Sequence, residues 1–326
     1  MEFFLKKILT FGRYSKKKFG TRVFKVPISI SGFTCPNIDG TTAVGGCTFC
    51  ENDSFSPNLG KAQALDHNKK FYLNLESKSN PHLDLQLKQL EQQFTNLSNQ
   101  QRKKFGAKKF IVYFQSFTNT YAPLETLKAL YEKALSFPDV VGLSIGTRSD
   151  SITDETLAYL AELNKNKEIW IEFGIQSVYD ETLQRINRGH DAANVHEWIV
   201  KSKKAGLKVC GHLIYGLPGE TKEMMLDTFH KSIEWDVDSL KFHSLYVMKK
   251  TALANEFSKG DFTPIDEDTY IDLLAYSLKK LPEHIVVQRI CAGIDDPNLL
   301  APMWSTNKNR QIKNLRERFK RENITY

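Results

Sequence analysis

Three of the chain's five cysteines, Cys35, Cys47 and Cys50, are spaced C-x11-C-x2-C on a loop that also holds Asp39-Gly40 and Gly45-Gly46. Glycines of this kind let a backbone bend tightly and come close to a bound object. Soft thiolates gathered on such a loop are metal ligands first and packing residues second. A structural zinc takes four protein ligands, usually two C-x2-C pairs or one such pair with a His pair. Here one pair and one further cysteine stand without a histidine between them. A fourth ligand would have to come from far along the chain, from His67, Cys210 or Cys291. Three thiolates fit better with a 4Fe–4S cluster that keeps one iron open for a non-protein ligand. A zinc loop remains the alternative. Inert core cysteines do not suit so polar and glycine-rich a segment.

The elements that must position this loop alternate in type. A strand over Arg22 to Ser31, with Val, Ile and Phe at alternate positions, leads into Cys35. Leu83, Leu87, Leu90, Phe94 and Leu97 recur at spacings of four and three and predict an amphipathic helix over 83–105. Further strands are expected at Lys108 to Gln115, Val140 to Thr147, Glu168 to Ser177, Leu207 to Gly216 and Ser239 to Met248. Between them, Pro123 opens a helix and Thr153 caps another, with Asp154 and Glu155 favouring its dipole. Helices also follow at 180–187, Asn194 to Ala205 and Thr221 to Trp235. Glu51 to Asn80 is polar and takes no assignment. Six near-continuous apolar strands alternating with helices predict an α/β fold whose parallel sheet is covered on both faces. Three parts are expected: a basic segment 1–20, a core domain 21–250, and a helical C-terminal extension 251–326. The extension contains a helix at 267–281, an apolar segment His284 to Ile290 and a basic final helix.

The 326 residues are 41% hydrophobic and 25% charged, ordinary for a globular chain. No apolar run approaches the roughly 20 residues of a membrane span. Lys6 and Lys7 break the N-terminal apolar stretch, so a signal peptide is not expected. The cysteine spacing is not a disulfide framework, and a reducing cytoplasm is the expected setting. The net charge of +7 points to an anionic partner.

In barrels of parallel strands the chemistry sits at the C-terminal strand ends. After the cysteine loop, those ends carry Ser116 and Thr118, then Arg148, then Glu172 and Gln176, and finally His212, Ile214 and Gly216. His243 lies on the sixth strand. Hydrogen-bonding groups at several strand ends suit a zwitterionic, ribose-bearing cofactor.

Four stretches together resemble the radical S-adenosylmethionine (SAM) enzymes. They are the cysteine loop with Phe49 before its last cysteine, Tyr113 to Tyr121, Glu172 to His190, and His212 to Glu220. The resemblance is to the branch related to the Elongator catalytic subunit and oxygen-independent coproporphyrinogen oxidase, in a bacterial group linked to wobble-uridine processing. It implies a partial parallel (β/α)6 barrel of the radical SAM type and a 5′-deoxyadenosyl radical made from SAM. Cys35, Cys47 and Cys50 would hold the 4Fe–4S cluster. Gln176 and Arg188 match SAM contacts of the family. Ser116 and Thr118 replace a glycine-rich segment, and His212 replaces an Asp. Ile214 and Gly216 would pass the adenine, with Arg148 and Glu172 as outer contacts.

Basic residues cluster near both ends, Lys6 to Lys25 and Lys308 to Arg321, with Trp304 before the latter. Such charges could track a nucleic-acid backbone or dock an acidic electron donor such as flavodoxin or ferredoxin. The resemblance favours tRNA wobble uridine, with conversion of 5-carboxymethylaminomethyl to 5-aminomethyl uridine as the expected reaction. A small-molecule or porphyrinogen-like substrate is one alternative, and a non-enzymatic zinc-loop nucleic-acid-binding module another.

Overall fold

Strands β1 (Val23–Ile28), β2 (Lys109–Phe114), β3 (Val140–Thr147), β4 (Glu168–Gln176), β5 (Lys208–Tyr215), β6 (Ser239–Ser244) and β7 (Val286–Arg289) lie side by side in chain order. Every neighbouring pair is parallel. The computed structural model describes residues 5–51, 73–77, 79–294 and 296–326; His67 lies outside them. Crossover helices cover the outer face of a curled half-barrel. The seventh strand is the segment that the sequence reads only as an apolar run after the core domain. Four residues are too few to signal a strand, and this one is specified by its pairing with β6, Ser239 opposite Val286 and Leu240 opposite Val287.

The two sheet edges, β1 and β7, do not pair with each other. Helix α1 (Phe11–Phe19) closes the gap. Val287 donates its N–H to the Leu9 carbonyl at 2.8 Å, just before α1, and Lys25 on β1 reaches Gln288 on β7 at 2.5 Å. The basic N-terminal segment, expected as a mere charged stretch, thus seals the barrel floor. Phe11, Tyr14 and Phe19 pack there on Val23, Ile111, Trp170, Cys210 and Val286. Cys210 is core, with no exposed surface. The C-terminus returns to the same corner, where Lys6–Lys7 pairs in parallel with Ile324–Thr325.

Side chains alternate along a strand, so the residue two beyond each floor position also faces inward. Val23 is followed by Lys25, Ile111 by Tyr113, Trp170 by Glu172, Cys210 by His212 and Val286 by Gln288. A polar ring therefore sits directly on an apolar floor, inside strands that read as apolar.

Helix α2 (Leu83–Phe105) departs from its simple apolar stripe. It buries Leu90 and Phe94 together with Gln86 and Gln89. Beyond Ile28 the chain has left the sheet, and its backbone groups need other partners. Gln93 accepts the Ser29 N–H at 3.0 Å and donates to the Ser29 carbonyl at 2.7 Å. Gln89 accepts the Ser31 N–H at 3.0 Å, and Gln86 donates to the Ser31 carbonyl at 2.7 Å. These amides act as a substitute strand and steer the chain into Cys35.

Candidate functional site

Cys35 follows this steered segment, and the loop beyond it folds back on itself. Ile38 donates to the Cys35 carbonyl, Thr42 to that of Pro36 and Gly46 to that of Asn37, at 2.8, 2.8 and 2.7 Å. Gly45 and Gly46 have φ of 89° and 76°, a region that side chains disfavour, which explains the glycine pair. Cys50 then closes a tight turn, its N–H 2.9 Å from the Cys47 carbonyl.

The loop is riveted to the segment after β4. The Asn37 amide donates to the Asn187 carbonyl at 2.8 Å and to Cys47 Sγ at 3.2 Å. Asn187 donates to the Val44 and Gly46 carbonyls at 2.9 and 2.7 Å. The Arg188 guanidinium reaches the Gly174 carbonyl at 3.2 Å and Cys47 Sγ at 3.6 Å. Thr118, beyond β2, donates to Cys35 Sγ at 3.1 Å. Arg148, beyond β3, is held by Asp150 at 2.9 and 2.5 Å and donates to the Arg188 carbonyl at 2.5 Å.

Burial pushes the Cys35 thiol up to about 11, with Cys47 adding to the effect against the pull of Thr118, Arg148 and Arg188. Burial, then Cys47 and Cys35, holds the Cys50 thiol well above its usual range. The three sulfurs therefore feel one another in a half-buried space. Neutral thiols at Cys35 and Cys50 are the apo counterpart of a thiolate site, because a metal takes the place of their protons.

The polar groups around the thiols are incompletely used. Among the described residues, Arg148 Nη1, Arg188 Nε, Gln176 Oε1, Thr34 Oγ1 and Ser149 Oγ are buried without a hydrogen-bond partner. Such orphans are expensive unless something outside the chain completes them. Gln176 also has φ of 66°, a sparsely populated conformation for its type, at the last residue of β4. At Gly174 a Cβ would stand 2.5 Å from Gln176 Nε2 and 2.6 Å from Arg188 Nη2, so the missing side chain makes room for both. A soft donor trio beside unfilled guanidinium and amide groups fits an iron–sulfur cluster together with a carboxylate- and amine-bearing ligand.

The other candidates are distributed differently. Ser116 is buried and bonded to Ser29. Ile214 packs with Leu183, Ile186 and Leu217 in an apolar cluster that Phe49 joins. Gly216 has φ of 93°, and a Cβ there would lie 2.8 Å from Ile265. Glu172 and His212 sit in the polar ring, 2.8 Å apart. Glu172 also accepts from Lys25 at 2.6 Å, and from Ser144 and Lys241. Burial opposes its ionisation, yet Lys241, Lys25 and His212 hold its carboxyl well below the ordinary range. Donor atoms of Glu172, Cys210 and His212 fall within 4.8 Å of one another, the spacing of a metal site. Two ammonium groups already occupy the Glu172 oxygens, so a cation would meet charge of its own sign there.

Asn37, Asn187, Asp150, Lys25 and Lys241 are site-building residues that sequence reasoning missed. Asn187 is the one with a local signal, since Asn-Arg-Gly is a turn tripeptide. Among the described residues no helix is long and apolar enough to cross a membrane.

Residues 40–231 match the family model described as the radical SAM superfamily, and residues 237–321 match the radical SAM C-terminal domain. The chain is 35% identical over 316 residues to the Bacillus subtilis protein YtqA, covering 95% of this chain and 90% of that one. It is 29% identical over 153 residues to the tRNA uridine(34) acetyltransferase of Methanocaldococcus infernus, 46% of this chain and 28% of that one. The solved structure of Methanocaldococcus infernus Elp3 shares its fold, with a TM-score of 0.62 at 20% identity, over 72% of this chain and 60% of that one. A match across most of the core and a full-length relative place the chain in the radical SAM superfamily, as an enzyme that works with a 4Fe–4S cluster and S-adenosylmethionine.

Proposed function

We propose that this enzyme modifies the side chain of the wobble uridine in tRNA, converting 5-carboxymethylaminomethyl to 5-aminomethyl uridine. The observation that carries the reading is the joining of the cysteine loop to the Asn187-Arg188 segment. It sets three thiols beside unfilled arginine and glutamine groups in a chain similar to a tRNA uridine(34) acetyltransferase.

Cys35, Cys47 and Cys50 hold the cluster in this reading, and Thr118 and Asn37 donate hydrogen bonds to two of their sulfurs. When bound, the cluster supplies the electron that cleaves SAM. Arg188, with Arg148 bracing it, faces the SAM carboxylate, since a planar guanidinium matches that group in two bonds. Gln176 offers its free Oε1 to the SAM amine. Ile214 and Gly216 bound the adenine. Glu172 and His212 act from beneath, through the ring they share with the lysines. The exposed cations of Lys308–Arg321, a helix capped by Asn307, track the tRNA backbone or dock a low-potential donor such as flavodoxin or ferredoxin. A reducing cytoplasm suits such a cluster.

Anaerobic reconstitution with iron and sulfide, followed by dithionite and SAM, is expected to yield 5′-deoxyadenosine. A deletion strain is expected to accumulate the carboxymethylaminomethyl nucleoside. An unchanged tRNA nucleoside profile excludes the uridine substrate and leaves a small molecule as the alternative.

A further inference from the structure

The inner faces of β6 and β7 carry more positive charge than the described residues offset. The register between these strands shifts after Leu240, so Arg289, and not Gln288, lies opposite Lys241. A bulge of this sort re-aims a side chain that strict alternation would send to the other face. Two cations thus stand on neighbouring strands. Lys25 adds a third, and the carboxylate within this set is Glu172, already shared by Lys25, Lys241 and His212. Three positive groups against one negative leave two unbalanced, in a setting where like charges repel more strongly than in water.

Two groups here have no partner among the described residues. Among the described residues the half-buried Arg289 guanidinium makes no hydrogen bond or ion pair, although its field reaches His212, His243 and Tyr113. His243 Nε2 is buried and unpartnered, its ring 5.6 Å from that of His212. Lys241 spends two bonds, on Glu172 and on Tyr113 at 3.0 Å, and an ammonium has three to give. Donors without acceptors, on the inner wall of a curled sheet, describe a place for an anion.

We propose that Lys241, His243 and Arg289 seat a carboxylate carried by the substrate, on the inner face of β6 and β7. The identification of the anion rests on the uridine reading above, in which the modified side chain ends in a carboxylate. The guanidinium takes the carboxylate through two parallel bonds, and Lys241 and His243 complete its remaining lone pairs.

The experiment uses the reconstituted holoenzyme and two anticodon stem-loop RNAs. One carries 5-carboxymethylaminomethyl uridine and the other the corresponding amide. The acid is expected to bind at least about tenfold more tightly. Arg289→Gln is expected to bring the ratio to about one, and Arg289→Lys to keep part of it. Equal affinity of the wild type for acid and amide, or an unchanged ratio in Arg289→Gln, overturns the proposal while leaving the tRNA reading in place. A second arm needs no RNA and no variant. N-methylglycine is expected to shield Arg289 from phenylglyoxal, scored by mass spectrometry, where N-methylglycinamide is not. If neither RNA binds, the uridine reading falls, and shielding by the acid alone still upholds the seat. No shielding, or equal shielding by inorganic phosphate, overturns it.

Discussion

Asn37 and Asn187, 150 positions apart, hold each other's loops in place: Asn37 donates to the Asn187 carbonyl, and Asn187 donates to two carbonyls of the cysteine loop. Cys47 is thereby held from two sides, by Asn37 directly and by the arginine that follows Asn187. Asn187 tolerates its φ of 54° better than most residues would. Asn187→Ala removes both donors and adds strain. It is expected to cost about 1–3 kcal/mol of stability in chemical unfolding. It is also expected to lower iron retained after reconstitution, while Asn164→Ala, on a remote helix end, retains it.

Gly174→Ala is expected to disable SAM cleavage with little loss of fold. The added methyl would push against Gln176 and Arg188 at 2.5 and 2.6 Å, and Gly174 lies outside the positive-φ region, so backbone strain plays no part. A displacement of about 1 Å in a positioning group can slow catalysis about a hundredfold. Rates of 5′-deoxyadenosine formation near those of wild type would remove Gln176 and Arg188 from the SAM site.

Lys25→Met strands the buried Glu172 carboxylate with one ammonium fewer. The expected loss is about 1.5–3 kcal/mol, that of one hydrogen bond to a charged group, since Lys241 still pairs with the carboxylate. Glu172→Gln should cost less on this background than in the wild type, because the two residues share one network. Additive losses in urea unfolding would show that the pair is not coupled.

His212 makes stability depend on pH. Burial, then Lys241, pulls its pKa down to about 4 from an ordinary 6.5. Between those values the unfolded chain binds a proton that the folded chain refuses. The contribution is therefore complete above pH 6.5 and is lost as the pH falls towards 4, by up to about 3 kcal/mol. His212→Gln should flatten this part of the profile, measured as the difference from wild type in denaturant unfolding. Parallel profiles would mean that His212 titrates normally.

Lys313→Glu with Arg316→Glu alters two exposed cations of the last helix. If this face follows the tRNA backbone, the double variant binds more weakly at every salt concentration. Its log–log salt slope should fall by roughly two, about one for each phosphate that is no longer neutralised. An unchanged slope with unchanged electron transfer would reduce the helix to a solvated basic face.

Much of the chemistry was legible from residue types alone. The C-x11-C-x2-C loop, the alternation of apolar runs with helices, and the cap at Thr153 are local signals, and the structure bears out that cap, with the Thr156 N–H at 3.1 Å. The seventh strand was hidden because four residues carry too little periodicity, and its pairing partner lies more than forty residues away. Gln86, Gln89 and Gln93 read as the polar side of α2, yet they complete backbone bonds of a chain that has left its sheet.

The sequence by itself determined that soft ligands sit on a bendable loop after the first strand of a parallel sheet, because spacing and glycine content act within a few residues. Only the tertiary structure decided what faces those ligands. Lys25, Glu172, His212 and Lys241 lie on four different strands, where a polar residue among apolar neighbours means little. Curling the sheet brings them into one ring, and low dielectric inside it makes their charges strong enough to matter.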